Sequence, residues 1–251
     1  MADELVHIVV ARGIATITLD SPHNRNALSR QLRGELRNHL TDAIDDDAVR
    51  VIVLDHTGPV FCAGMDLKEA GGASSGDQGV NEFPEILDLI RTSPKPVVAK
   101  LAGPARAGGV GIVAAADIAV ASETATFAFT EVRIGVVPAV ISVTVLPRLL
   151  PRAAHELFLT GETFGATRAA AIGLINSAVP ADQLDEEVER YAGMLIKGGP
   201  VALAATKALL REPAGDFASM LKLSAEFFAS EEGQEGIAAF AQKRQPSWIP
   251  E

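Results

Sequence analysis

Two segments of small residues each follow an apolar run and have the composition to present bare backbone amides. The first spans 60–68, where Ala63 and Gly64 allow a sharp turn and Asp66 can cap a helix that begins there. Unpaired amides beside a helix start accept an anion or a developing oxyanion. Taken alone, the segment favours a plainer interpretation, which is a strand-to-helix connection with an aspartate cap.

The second segment, 107–111, reads Ala-Gly-Gly-Val-Gly and has several interpretations. Residues 109–114 match the dinucleotide fingerprint G-x-G-x-x-A, but 102–107 separates them from the preceding strand, and the unit lies mid-chain. A phosphate loop is excluded because Gly109 and Val110 stand where Lys and Ser or Thr are required. A second amide donor at a helix start remains, as does close packing of a helix on a sheet.

Glu131 is a candidate base because it lies among apolar residues, where desolvation raises the pKa of a carboxyl group. The alternative, favoured on local sequence alone, is a surface glutamate paired with Arg133 or another cation. The five histidines lack metal-ligand spacing, and Cys62 lacks an activating His or Asp context. We therefore expect no metal site and a buried structural thiol.

The elements that must position these residues alternate as in an α/β protein. Alternating β-branched residues predict a hairpin over 6–10 and 14–19. Ser29 is a predicted N-cap for a helix whose apolar residues step by four, from Leu28 to Ile44. The Gly/Ser-rich stretch 71–79 predicts a mobile surface loop. Further strands are predicted at 50–55, 97–101, 117–121, 126–129 and 174–179, and helices at 82–91, 140–150, 153–160, 167–172, 182–196, 200–212 and 217 to the end.

Composition narrows the class of protein. The 251 residues are 48% hydrophobic and 22% charged, which is ordinary for a globular chain. The net charge of −10 disfavours nucleic acid or an anionic membrane as partner, and the single cysteine allows no internal disulfide. The acidic N-terminus does not resemble a signal peptide. We expect a soluble cytoplasmic protein with one domain, 1–251, comprising an α/β core to about 195 and a helical arm over about 196–251.

Five segments in order resemble the crotonase superfamily, the enoyl-CoA hydratase/isomerase family, nearly end to end. They are 24–29, 61–68, 107–118, 130–135 and 240–244. The amino-acid sequence at 109–111 and 137–142 is most similar to that of bacterial methylglutaconyl-CoA hydratases. The resemblance implies a ClpP/crotonase-like spiral of ββα units with a helical C-terminal oligomerisation arm. It also implies a homotrimer or a dimer of trimers.

In that family two backbone amides form an oxyanion hole for an acyl-CoA thioester, and by position these are the amides of Met65 and Gly108. No separate cofactor is implied, because CoA is part of the substrate. Lys243 is implied as a phosphate partner, often across a subunit boundary. The resemblance implies CoA contacts at Arg25, Ala27, Ala63, Asp66, Leu67, Lys68 and Lys243.

The sequence departs from the two-glutamate pattern of the family's hydratases. Glu131 matches the second glutamate, but Gly111 stands in place of the first, and Ala107 replaces a usual glycine. We expect an enoyl-CoA hydratase that adds water across the 2,3 double bond of a straight or branched 2-enoyl-CoA with one glutamate base. A Δ3,Δ2-enoyl-CoA isomerase is the alternative, followed by an acyl-CoA-binding protein that has lost catalysis. A Rossmann oxidoreductase is the least favoured.

Overall fold

A computed structural model describes residues 4–70, 81–212 and 215–250. The predicted mobile loop, 71–79, lies outside the described residues. The strands are β1 Val6–Ala11, β2 Ile14–Leu19, β3 Val51–His56, β4 Val97–Leu101, β5 Ala105–Arg106, β6 Ile118–Ser122, β7 Thr126–Ala128, β8 Phe164–Gly165 and β9 Ser177–Val179. The helices are α1 Arg30–Asp45, α2 Leu67–Ala70, α3 Phe83–Thr92, α4 Gly108–Ala115, α5 Ala139–Val145, α6 Pro151–Thr160, α7 Ala166–Ala171, α8 Leu184–Ile196, α9 Pro200–Arg211, α10 Phe217–Ala229 and α11 Glu231–Gln242. Short 3₁₀ helices form at Pro22–Asn24, Thr130–Ile134 and Ala181–Gln183.

The main sheet has six strands in the order β1-β2-β3-β4-β6-β9, and a small sheet has the order β5-β7-β8. The predicted hairpin is confirmed: β1 and β2 pair antiparallel through a turn in which Arg12 and Gly13 both have positive φ. From β2 to β9 all neighbours in the main sheet are parallel. The segments that follow β3 and β4 therefore leave the sheet at the same edge.

Helix α1 confirms the helix that was predicted from apolar residues spaced four apart. The Ser29 hydroxyl accepts a hydrogen bond from the Leu32 amide at 3.3 Å, as an N-cap does. Leu32, Leu36 and Leu40 are all buried against the sheet. The opposite face of the sheet is covered by α8, whose apolar residues pack on Val51, Val53, Val98 and Val120. The parallel strands are thus buried on both faces, which explains their continuous apolar sequence.

The predicted helix from 217 to the end is wrong as one element. It is two helices, because the Ser230 hydroxyl accepts from the Gly233 amide and starts a new helix at Glu231. The chain after Gln242 is not helical and folds back, and Arg50 binds the Trp248 carbonyl at 2.7 Å. The division into a core to about 195 and an arm remains a prediction.

Helix α9 docks onto the α/β elements through Lys207, which is 7% exposed. Its Nζ lies 2.6 Å from an Asp117 carboxylate oxygen and also donates to the Ile90 and Lys95 carbonyls.

Within the described chain no single helix has the length and apolarity to span a membrane. Taken together, the segments Ala181–Ile196 and Pro200–Arg211 are long and apolar enough by length and composition alone, but the chain bends by 108° between them.

Candidate active site

The amide of Met65 is oriented by the residue before it. Gly64 has φ of 89°, and its carbonyl accepts a hydrogen bond from the Leu28 amide at 2.8 Å. Since the peptide bond is trans, the N–H of Met65 points the opposite way from that carbonyl, away from Leu28. In the hydrogen bonds described for residues 4–70, 81–212 and 215–250, this N–H has no acceptor. It is a free donor beside the start of α2.

The amide of Gly108 is free for a different reason. Gly108 is the first residue of α4, so its N–H has no acceptor within the helix, and the described part of the chain offers it none elsewhere. Ala107 sets its direction with φ 47° and ψ −118°. A residue with a Cβ in this conformation carries strain of about 1–3 kcal/mol, which accumulates at functional sites. Alanine in place of the family's usual glycine at position 107 is therefore tolerated, but at a cost in backbone strain.

The two amide loops touch. A Cβ added to Gly64 would lie 2.9 Å from the Ala107 Cβ and 3.5 Å from the Gly108 nitrogen. A Cβ on Gly108 would lie 2.8 Å from the Leu28 Cδ1. Gly64 and Gly108 thus permit the sharp turn and the close approach of the two loops. This brings the free N–H groups of Met65 and Gly108 close together.

Parallel pairing also brings Glu131 to this edge. Cys62 pairs with Ala105, and Ala105 pairs with Phe127, all in parallel. The residues that follow each of these positions leave at the same end. Met65, Gly108 and Glu131 lie three or four residues beyond their paired positions. The parallel register therefore places Met65, Gly108 and Glu131 at the same edge. No hydrogen bond described for the chain joins Glu131 to either amide.

Glu131 has the environment of a base. It lies in the 3₁₀ helix Thr130–Ile134, and its Oε2 is buried with no hydrogen-bond partner among the described residues. Burial raises the pKa of this carboxyl group above its ordinary value. The expected pairing with Arg133 is absent from the described ion pairs, since the Arg133 Nε donates to the Thr160 carbonyl at 2.7 Å instead. A buried carboxylate oxygen without a donor is unusual in a folded protein, which makes Glu131 a candidate for direct contact with substrate or water.

The place of the missing first glutamate is filled by an apolar side chain. A Cβ on Gly111 would lie 2.6 Å from the Ile141 Cγ2 and 3.6 Å from the Leu87 Cδ1. Ile141 and Leu87 are both 3% exposed. Position 111 therefore has no room for a carboxylate.

A family model described as enoyl-CoA hydratase/isomerase matches residues 10–250. The chain belongs to the enoyl-CoA hydratase/isomerase family. The predicted superfamily and its fold class, the crotonase α/β spiral with C-terminal helices, are confirmed. Family membership supports activity of the hydratase/isomerase type.

Relatives cover nearly the whole chain. The enoyl-CoA hydratase domain-containing protein 3 of Rattus norvegicus is 37% identical over 94% of this chain and 81% of its own. Carnitinyl-CoA dehydratase of Escherichia coli K12 is 33% identical over 98% of both chains. The crystal structure of an enoyl-CoA hydratase from Mycobacterium smegmatis superposes with a TM-score of 0.91 at 31% identity, covering 98% of this chain and 99% of that one.

Most of the CoA contacts expected for this family form one strip in the structure. The Ala63 amide donates to the Arg25 carbonyl at 3.1 Å, which joins the segment around Ala27 to the amide loop. Arg25 is exposed and Ala27 is buried. An Asp66 carboxylate oxygen accepts from the Lys68 amide at 3.0 Å and so caps α2, as predicted. Leu67 and Lys68 are exposed beside it.

Lys243 lies apart from this strip. It follows α11 with φ of 54°, is exposed, and belongs to the C-terminal segment that returns to Arg50. Arg50 immediately precedes β3, whereas the amide loops follow the other ends of β3 and β4. No described contact joins Lys243 to the strip, so its role stays a prediction.

Sequence reasoning assigned no role to Asn26, which fixes the strip. Asn26 is fully buried with φ of 52°. Its Oδ1 accepts from the Ser21 amide at 2.7 Å, and its Nδ2 donates to the carbonyls of Thr57 and Val60. The signal was present in the sequence, because Asn is among the few residues that adopt positive φ readily.

Two other expectations concern Cys62 and metals. Cys62 is fully buried, and burial raises the pKa of its thiol to about 12, so the prediction of a structural thiol is confirmed. A Cβ on Gly109 would lie 2.7 Å from the Cys62 carbonyl oxygen, so close packing explains this glycine. Among the described residues no group of three or more His, Cys, Asp or Glu is placed to hold a metal ion.

Proposed function

We propose that this chain is an enoyl-CoA hydratase that adds water across the 2,3 double bond of a straight or branched 2-enoyl-CoA. One observation carries the proposal: two free amides and an unpartnered carboxylate oxygen leave neighbouring parallel segments at the same edge. Negative charge develops on a thioester oxygen during this reaction, and amides stabilise it. The names of the relatives, which are hydratases and a dehydratase, support the same class.

In this proposal the amides of Met65 and Gly108 hold the thioester oxygen. As electrons move from the double bond onto that oxygen, each donor supplies roughly 3 kcal/mol to the transition state. The donors are main-chain groups, so the Met65 side chain need only pack. The strain at Ala107 fixes one donor before substrate arrives.

Glu131 then handles one proton in two steps. Its carboxylate takes a proton from water while the water oxygen bonds to C3, and the electron pair of the double bond moves into the enolate. The protonated Glu131 next delivers that proton to C2, and the thioester carbonyl re-forms. Net addition is one water, and the carboxylate returns to its starting state.

Binding of CoA is proposed at the strip of Arg25, Ala27, Ala63, Asp66, Leu67 and Lys68. Lys243 is proposed as a phosphate partner across a subunit boundary in a homotrimer or dimer of trimers. Exposed apolar residues support self-association, since Phe217 is 96% exposed and Phe240 is 88% exposed. A cytoplasmic location without nucleic-acid or membrane partners, and the absence of a separate cofactor, remain parts of the proposal.

The Δ3,Δ2-enoyl-CoA isomerase is the second candidate, and the filled site at Gly111 favours it. With Ile141 where another carboxylate would stand, Glu131 is the lone acid–base group of the proposed mechanism. A single carboxylate suffices to take a proton from C2 of a 3-enoyl-CoA and return it to C4. Hydration needs the same group to activate water as well.

A panel of enoyl-CoA substrates with product analysis separates these proposals. We expect the purified protein to consume the conjugated absorbance of crotonyl-CoA or of a branched 2-enoyl-CoA and to yield a 3-hydroxyacyl-CoA. Conversion of a 3-enoyl-CoA without any water adduct would replace the hydratase with the isomerase. Tight binding across the panel without turnover would show a chain that has lost catalysis.

The pH dependence of kcat/KM should show the raised pKa of Glu131. The base is active when ionised, so activity is present above its pKa and is lost as pH falls through it. We expect an acid limb with a midpoint above the ordinary value for glutamate. A limb at or below that ordinary value would assign it to a solvent-exposed carboxylate instead.

A further inference from the structure

Arg33 is a buried cation that the proposed mechanism does not use. It lies in the first turns of α1 and is 3% exposed. The helix dipole disfavours a cation at this end, and the Arg33 Nε has no hydrogen-bond partner in the part of the chain described. The contacts of this buried side chain are therefore made by its Nη1 and Nη2 nitrogens.

One of those nitrogens begins a run of hydrogen bonds. The Arg33 Nη1 donates to the Leu28 carbonyl at 2.5 Å. That carbonyl shares its peptide group with the Ser29 amide, which donates to the Ala27 carbonyl at 2.7 Å. The Ala27 carbonyl in turn shares its peptide group with the Leu28 amide.

The run ends at the candidate oxyanion hole. The Leu28 amide donates to the Gly64 carbonyl at 2.8 Å, and that carbonyl shares its peptide group with the free N–H of Met65. Three peptide groups therefore lie in series between the guanidinium and the thioester-binding amide. Each accepts at its oxygen and donates at its nitrogen. All three bonds are shorter than the usual 2.9–3.0 Å for N–H···O.

We propose that Arg33 is a positioning residue that orients and polarises the Met65 amide through these three peptide groups. A donor on a peptide oxygen draws electron density from its nitrogen and strengthens the N–H as a donor, so such bonds are cooperative. A guanidinium at the head of the run makes the first bond charge-assisted. This inference rests on the proposed oxyanion hole and adds a source for its strength.

The other contact of Arg33 does not explain its burial. The Arg33 Nη2 lies 3.7 Å from a carboxylate oxygen of Glu82, whose side chain is 50% exposed. An ion pair with a half-exposed, distant partner adds little stability. A purely structural role would rest on the Leu28 carbonyl alone, and the experiments separate that role from polarisation.

The first experiment measures the carbonyl stretch of bound butanoyl-CoA, a saturated thioester that cannot be hydrated, labelled with ¹³C at the carbonyl. Strong donors lower this frequency. We expect a lowered frequency in the wild type, a smaller lowering in Arg33→Met, and recovery in Arg33→Lys, which keeps a charged donor. Arg37→Met is the matched control, because Arg37 lies one turn further along α1 and pairs only with exposed Glu85 among the described residues.

The second experiment separates kcat from KM and from stability. We expect Arg33→Met to lower kcat about tenfold with KM changed less than about twofold, because the polarised donor acts mainly on the transition state. The unfolding temperature of the same variant is measured beside the kinetics, and we expect it to fall, because the Leu28 carbonyl loses a buried donor. A merely structural Arg33 would lower the unfolding temperature as well, but kcat and the carbonyl frequency of the folded fraction would then stay unchanged.

The outcomes are distinguishable from failure of the proposed function. No lowering of the carbonyl frequency in the wild type would remove the oxyanion hole and this inference together. A lowered frequency that is the same in wild type, Arg33→Met and Arg33→Lys would overturn the role of Arg33 alone. If Arg33→Met does not fold, Arg33→Gln takes its place, because glutamine can still donate to the Leu28 carbonyl but carries no charge. A smaller lowering in Arg33→Gln than in the wild type would support the role of Arg33, and a frequency equal to that of the wild type would overturn it.

Discussion

Glu131→Gln should lower kcat for hydration by at least about 100-fold while leaving substrate affinity nearly unchanged. Glutamine keeps the shape of the side chain but cannot accept a proton at working pH. The loss should fall on kcat because the group acts on the reacting water rather than on CoA. Steady-state rates with the best substrate of the panel, together with the dissociation constant of butanoyl-CoA, measure both quantities.

The same substitution should not destabilise the protein. The Glu131 Oε2 has no donor in the described structure, and burial of an unpaired carboxylate opposes folding. We expect a Tm equal to the wild type or up to about 3 °C higher, since about 1 kcal/mol moves a chain of this size by 2–4 °C. Glu123→Gln, on the exposed turn after β6, is the matched control. Equal activity of the wild type and Glu131→Gln would remove Glu131 as the base.

Periodicity predicted the elements that hold the site. The step of four from Leu28 predicted α1 because its apolar stripe is local in sequence, and the alternating residues before it predicted the hairpin. The amide loops were predicted only from the family resemblance, because small residues between a strand and a helix start equally suit a plain connection or close packing. Two-residue strands such as β5 were missed because two residues establish no period.

The isolation of Glu131 was not predictable from neighbouring residues. Local sequence favoured a pair with Arg133, but Arg133 is taken by the Thr160 carbonyl, 27 residues away. Such competition is settled only by tertiary packing. The burial of Arg33 did leave a signal: it stands four residues after Ser29 and three before Leu36, inside the buried stripe of α1.

The missing carboxylate at position 111 is visible in the sequence, whereas what replaces it is not. Ile141 lies 30 residues away on α5 and fills the space beside Gly111. Gly111→Glu alone should therefore destabilise the fold rather than add activity. Its Cβ would meet the Ile141 Cγ2 at 2.6 Å, and overpacking with a buried carboxylate costs about 3 kcal/mol or more. Thermal unfolding should show a Tm lower by roughly 6 °C or more.

Gly111→Glu combined with Ile141→Ala should fold and hydrate crotonyl-CoA faster. Alanine removes the Cγ2 that causes the clash and leaves a Cβ 3.1 Å away, which requires a shift of only a few tenths of an ångström. The first turn of α4 also favours a carboxylate through its dipole. Because a second acid–base group is worth at least about tenfold, the double variant should exceed Ile141→Ala by that factor. Gly111→Gln with Ile141→Ala is the control for shape. If both double variants were equally active, a second carboxylate would not be what limits hydration, and the lone Glu131 would be sufficient for the substrate this pocket accepts.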